Sequence, residues 1–176
     1  LKQNFFNTIE ALAAAIDMKD TFTIGHSKRV SEVSIAIIDE MGITDAKIRE
    51  NLHLGALLHD IGKIGIPSTI LYKPSSPDSQ EWDIIRKHPI YGVEIIKNLK
   101  GFEDIIPAIK YHHERWDGKG YPDGLKGTEI PLITRIISVA DAYDTIISRR
   151  PYKKPFTSET ALEAIKLASG SQFDPD

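Results

Sequence analysis

The sequence predicts an all-α fold, a single-domain helical bundle of about seven or eight helices. Three observations carry that expectation. Apolar residues recur at spacings of three and four almost throughout the chain. No stretch sustains the period-two alternation of a half-buried strand. Glycine, proline and short polar residues punctuate the pattern at helix-length intervals. At 176 residues, the chain is long enough to close one sizeable core.

The elements follow in order. Phe5, Ile9, Leu12 and Ile16 mark a first apolar stripe, read as packing on the core. Val30, Val33, Ile37 and Met41 mark a second, ended by Gly42 as a left-handed terminator. Ile48, Leu52 and Gly55 mark a third, with Thr44 as its predicted N-cap. Gly62, Gly65, Pro67 and Pro74 make residues 62–76 irregular. Asp78 and Glu81 have capping-box spacing for the next helix, and Pro89 then forces a break and restart with His88 at the junction. Ile105, Ile109 and His112 mark a further helix with Pro107 in its first turn. Residues 117–131, rich in Gly and Pro, read as a loop. Ile133, Ile137, Ala140 and Asp144 mark a long helix, and the last runs from about Thr157 to Leu167.

Bulk properties narrow the chemistry. A net charge of −3 argues against a face for polymeric nucleic acid, so an anionic ligand needs a local positive site. The absence of cysteine excludes disulfides and thiolate metal sites. No apolar run approaches the roughly 20 residues of a membrane span. The chain opens on Leu1 without a signal-peptide pattern, and we read it as a domain excised from a longer protein.

Several chemically active residues fall on inward stripes. His26 lies four residues before Val30, His59 continues the Leu52 and Gly55 stripe, and His112 follows Ile105 and Ile109. Asp141 and Asp144 follow Ile137 at successive turns. Buried unpaired carboxylates are very costly and unpaired imidazoles costly too, so something must satisfy these groups. One inward histidine is most often a hydrogen-bonded core residue, but a metal cluster would satisfy all of them together. Adjacent helical residues diverge by about 100°, so His112 and His113 can reach different ions. Asp60, beside His59, has two oxygens with which to bridge. His53 fits no shared stripe and reads as structural or supporting. Imidazole and carboxylate donors suit iron, manganese, zinc or nickel. Two such ions about 3.5–4 Å apart clamp in-line phosphoryl displacements, with an acidified water as nucleophile.

The chain resembles the HD-GYP domains, a branch of the HD phosphohydrolase superfamily, over nearly its whole length. The resemblance rests on Gly25-His26-Ser27 with Arg29-Val30, and on the run from Leu57 through His59-Asp60-Ile61-Gly62-Lys63 to Pro67. It continues through Lys73-Pro74, His88-Pro89 with Gly92, and the block from His112-His113-Glu114 through Asp117-Gly118-Lys119-Gly120-Tyr121-Pro122. Gly124-Leu125, Ile130-Pro131-Leu132, Val139-Ala140-Asp141, Arg150-Pro151-Tyr152-Lys153 and Gly170 with Phe173-Asp174-Pro175 complete it. The resemblance implies an all-α fold and a metal-ligand set of His26, His59, Asp60, His88, His112, His113 and Asp141. It makes Asp60 the bridging carboxylate and Lys63 the cation beside the reacting phosphate. Gly120, Tyr121 and Pro122 would line the substrate pocket, and Arg150 and Lys153 would hold a substrate phosphate. Asp144 is a candidate to support the cluster or the pocket.

Two departures stand out. Some members carry a glutamate ligand for a third metal where this chain has Phe22, so we expect two ions unless a group such as Asp20 fills in. The usual helix after the Phe-Asp-Pro segment is missing, and we expect a frayed end. The resemblance implies a bacterial, cytoplasmic phosphodiesterase with two transition-metal ions, iron or manganese favoured. It would open cyclic di-GMP to linear pGpG, which many members carry on to GMP, and work with upstream sensor or receiver domains and GGDEF-type partners. A non-catalytic cyclic-dinucleotide- or partner-binding module would have lost ligands, and none of the matched set is missing. A phosphohydrolase for another cyclic dinucleotide is the remaining alternative.

Overall fold

A computed structural model describes residues 2–19, 24–73, 75–148 and 156–176. The described residues form an all-α bundle with nine α-helical segments: α1 (Lys2–Lys19), α2 (His26–Glu40), α3 (Ala46–Leu58), α4 (Ser68–Leu71), α5 (Ser79–Ile85), α6 (His88–Ile96), α7 (Ile106–Tyr111), α8 (Leu132–Ile147) and α9 (Ser158–Leu167). Since α4 is a single four-residue turn, eight longer helices remain, at the upper end of the expectation. Short 3₁₀ turns occupy Ile61–Gly65 and Gly127–Glu129, largely within the segments read as irregular and as loop, and Glu103–Ile105, where Ile105 was read as part of the following helix.

Helix α3 is the axis of the bundle. Its last turns, Leu52 and Leu54 through Leu58, are buried on every side, as befits a helix wrapped by others. Leu54, Leu57 and Leu58 face a core shared with Ile9, Ala13 and Ile16 of α1, Ile96 of α6 and Ile109 of α7. Leu52 and Ala56 face a second core with Val30 and Ile38 of α2, Ala108 of α7 and Ile137 and Ala140 of α8. Gly55 lies where α7 and α8 close on α3; a Cβ there would stand 2.8 Å from that of Ala108 and 3.3 Å from Ile137 Cδ1. Residues 59 and 60 therefore emerge where the two cores meet.

Several boundaries differ from the sequence reading. Asp45, not Thr44, caps α3: its Oδ1 accepts from the Lys47 and Ile48 amides at 2.9 Å. On α1 the buried face is Ile9, Ala13 and Ile16, while Phe5 and Leu12 are exposed, with Phe5 packing edge-on against Phe102. On α2 it is Val30 and Ile38; Val33 and Ile37 are half-buried and Met41 is exposed. In both helices the residues read as a stripe lie toward one edge of the buried face, whose centre also holds small or polar residues such as Ala13 and Ser34. Gly42 has φ 70°, and the Ile43 amide donates to Ile38 O at 2.9 Å, the expected left-handed stop. The Asp78–Glu81 capping box forms, and α6 restarts at His88 with Pro89 in its first turn.

The C-terminal segment is tied down, contrary to the expected fraying. Gln172 O and Ser171 O accept from the Trp116 and Asp117 amides, Phe173 is buried, and Arg135 pairs with Asp174. Asp20, Phe22, Arg150 and Lys153, with the basic turn around the last two, lie outside the described residues.

Candidate metal centre

The donors sit at helix ends, where side chains can turn toward a common point. His26 opens α2, His88 opens α6, and His59 and His112 cap the C-termini of α3 and α7. Asp60 and His113 follow two of these, and Asp141 projects from within α8. Two donor groups result: His26, His59 and Asp60 in one, and Asp60, His88, His112 and His113 in the other, each with its donor atoms within 4.8 Å of one another. Asp60 belongs to both.

The imidazoles are oriented alike. Nδ1 of His59, His88 and His112 lies 2.6, 2.8 and 2.9 Å from the carbonyls of Ala56, Ile85 and Ile109, each three residues earlier. A carbonyl only accepts, so each Nδ1 carries the hydrogen, and each Nε2 lone pair is turned inward. His88 Nε2 and His112 Nε2 stand 3.1 Å apart, and His59 Nε2 is buried without a hydrogen-bond partner. Facing lone pairs at that distance repel unless a cation lies between them. Asp60 completes the pattern. Its Oδ1 is 3.3 Å from His88 Nε2 and 3.9 Å from His112 Nε2; its Oδ2 is 3.4 Å from His59 Nε2 and 4.0 Å from His26 Nε2. The residues thus fit divalent transition metals on both sides of one carboxylate, through nitrogen and oxygen donors alone.

Electrostatics prepare the two halves differently. Burial, with neighbouring His113, His59 and His88, holds His112 well below the usual imidazole range, and burial with His88 pushes His113 down to about 3. Both are neutral, as ligation requires. Burial also pushes His26 down, but hydrogen bonds to Asp141 and Asp144 outweigh it and raise the group to about 10. Burial works against ionised Asp60, yet Lys63 and the histidines hold it well below the carboxylate range.

Residues around the cluster position it. Asp144 is buried; its Oδ2 lies 2.7 Å from His26 Nδ1, and its two oxygens accept from Arg29 Nε at 2.6 Å and Nη2 at 3.0 Å. Although it borders the cavity, both oxygens are taken, so its place is behind His26 rather than against substrate. Asp17 was missed in the sequence. It accepts from the Ser27 amide at 3.1 Å and Oγ at 2.7 Å, capping α2, whose N-cap Gly25 has no side chain to do so. The signal was present, because Asp17 lies one turn beyond inward-facing Ala13. Lys19 was missed too: its Nζ donates to the carbonyls of Lys63, Ile64 and Ile66 and closes the turn that carries Lys63. Glu114, half of whose carboxylate accepts from the Asp123 and Gly124 amides, anchors the Gly-Tyr-Pro loop. His53 stands apart, bonded to Ser31.

A cavity of about 1230 Å³ opens over the cluster. Lys63 lines it, with Nζ 2.7 Å from Asp60 Oδ2. Gly120 and Tyr121 also line it, whereas Pro122, joined to Tyr121 by a cis bond, is not among its walls. Gly120 lies so close to the His113–Arg115 backbone that a Cβ would come within 2.5 Å of Glu114 Cα. That approach stacks the Tyr121 ring on His113 at 4.8 Å and 28°.

Comparison with known proteins agrees with this geometry. The HD domain family model matches residues 10–176. The chain is 40% identical over 173 residues to a cyclic di-GMP phosphodiesterase of Thermotoga maritima, covering 97% of this chain and 47% of that protein. It is 38% identical over 168 residues to 3′3′-cGAMP-specific phosphodiesterase 3 of Vibrio cholerae, covering 96% and 36%. Among solved structures, Bd1817, a HDG"Y"P protein from Bdellovibrio bacteriovorus, is similar with a TM-score of 0.68 at 28% identity, over 84% of this chain and 47% of that one. The chain spans less than half the length of these relatives. With its paired His59-Asp60, its converging histidines and its Gly120-Tyr121-Pro122 loop, this chain belongs to the HD domain family, in the HD-GYP branch.

Proposed function

We propose that this domain is a divalent-metal-dependent phosphodiesterase that opens cyclic di-GMP to linear pGpG, with GMP as the alternative end product. The observation that carries the reading is the division of Asp60 between two donor groups at the base of a wide cavity lined by Lys63. His26, His59 and Asp141 would hold one ion and His88, His112 and His113 the other, with Asp60 common to both; iron or manganese is our preference. When bound, such ions supply Lewis-acid polarisation of the phosphate and an acidified water. The chain's own part is to fix the phosphate in line and to stabilise charge. Lys63 Nζ, held over Asp60, is placed to meet the phosphate oxygens as charge builds on them. Water adds to phosphorus, the bond to the ribose 3′ oxygen breaks, and that oxygen takes up a proton. Tyr121 offers an aromatic wall to the nucleotide, and Arg150 and Lys153 are proposed to hold a phosphate. Asp144 supports His26.

The similarity to a relative named for 3′3′-cGAMP keeps a mixed cyclic dinucleotide as the second substrate reading. No described helix is long and apolar enough to cross a membrane. We place the domain in a bacterial cytoplasmic setting beside sensor or receiver domains and GGDEF-type partners. The test is anaerobic incubation of the purified chain with Fe²⁺ or Mn²⁺ and cyclic di-GMP or 3′3′-cGAMP, with products separated by chromatography. Formation of pGpG or GMP, abolished in Asp60→Ala, supports the reading. Folded, metal-loaded protein that binds either dinucleotide without turnover would replace it with a binding module.

A further inference from the structure

The geometry points to Arg86 as a substrate-binding residue that holds the phosphate of the cyclic dinucleotide not undergoing cleavage; this rests on the function proposed above. The argument begins with the cations of the cavity. Among the described residues, Lys63, Lys73, Arg86, Arg115 and Lys119 line it. Three already face carboxylates: Lys63 with Asp60 at 2.7 Å, Lys73 with Glu81 at 2.6 Å, and Arg115 with Asp117 at 2.8 Å. Arg86 and Lys119 make no described ion pair. A cyclic dinucleotide brings two phosphates, and only one can sit over the metal cluster. The other meets positive charge elsewhere, shared between Arg150 and Lys153, proposed above for a phosphate, and a cation of the described wall.

Arg86 is the better placed of the two. Its guanidinium lies over the Tyr121 ring, 5.8 Å from the centroid, and Tyr121 is itself stacked on His113. A column therefore runs outward from a metal-ligand imidazole through a phenol to a guanidinium. Arg86 also ends α5 two residues before His88, with its amide donating to Trp82 O at 2.9 Å, so its backbone is fixed to the junction that places a ligand. A guanidinium held over an aromatic ring at cation–π range keeps its N–H groups free, and that planar fork matches two phosphate oxygens. Arg86 and Lys119 are both exposed, but among the described contacts only Arg86 lies over a ring of the cavity wall.

A guanidinium edge also fits guanine O6 and N7, and the experiment separates the two. In Arg86→Ala, KM for cyclic di-GMP should rise about ten-fold while kcat falls less than about two-fold, the split expected when binding shared by ground and transition states is lost. Arg86→Lys should recover part of that loss. Bis(4-nitrophenyl) phosphate, which has a single phosphate, should lose several-fold less than the dinucleotide. Cyclic di-AMP and cyclic di-GMP, used as competitors of that ester, should weaken equally. An unchanged KM for a dinucleotide that the wild type turns over would overturn the Arg86 assignment alone. So would a weakening confined to the guanine dinucleotide, which would assign base recognition instead. A wild type that cleaves the simple ester but neither binds nor cleaves the dinucleotides would overturn the assignment together with the functional reading beneath it.

Discussion

Replacing Gly62 by alanine should dismantle one half of the metal centre and leave the other half standing. Gly62 lies in the 3₁₀ turn that follows Asp60, pressed against the first turn of α6. A Cβ built there would fall 1.8 Å from His88 O and 2.5 Å from Gly92 N. Relief to ordinary contact needs a shift of about 1.5 Å. The obstructing atoms are backbone, so no rotamer change can provide it. The start of α6 and the turn after Asp60 must part, and His88 is drawn away from an Asp60 oxygen now 3.3 Å from its Nε2. Ligand positions tolerate only about 0.2 Å, so the group of Asp60, His88, His112 and His113 should stop holding metal. His26, His59 and Asp60 are not touched by the clash and should still bind one ion. Overpacking of this kind costs about 1–3 kcal/mol, which is about 2–10 °C in melting temperature for a chain of this size. The control is Gly65→Ala, whose Cβ would have its nearest contacts on the Tyr91 ring, from 2.7 Å, and that side chain can swing aside. The assay is metal content after anaerobic reconstitution, with melting temperature and turnover measured on the same samples. Gly62→Ala protein with the wild-type metal content and wild-type turnover would refute the reasoning.

Two further outcomes follow from the groups around His26. Asp144→Asn keeps the shape but removes the charge behind the imidazole, and metal affinity should fall about 10- to 100-fold, read by competition with a chelating dye; unchanged affinity would show that Asp144 only packs. In the metal-free chain His26 is raised to about 10, so its ion pairs stabilise the fold fully below pH ~6.5 and are lost as pH rises through about 10. Metal must displace that proton, so Mn²⁺ affinity should climb by up to about tenfold per pH unit across the same window, with proton release seen calorimetrically in buffers of different ionisation heat. Equal affinity at pH 7 and pH 8 would contradict it.

How much of this was legible in the sequence depends on the range of the interaction. Helix type, order and most boundaries could be read, because periodicity, capping boxes and proline restarts act within a few residues: Asp78 with Glu81, Gly42 and Pro89 all behave as their local chemistry dictates. The inward histidines were legible for the same reason, since a polar group on an apolar stripe is a local contradiction. The identity of the supporting groups was not. Asp17 reaches Ser27 from another helix, and Lys19 closes a turn more than forty residues away. Asp144 turns to His26 across 118 residues of chain, and Arg86 meets Tyr121 through a loop folded back on Gly120. The sequence by itself put His26, His59 and His112 on inward stripes, and all three are buried. Only the tertiary structure decided that Asp60 divides its oxygens between two histidine groups, because that sharing is a matter of distances among four chain segments, and no local pattern encodes them.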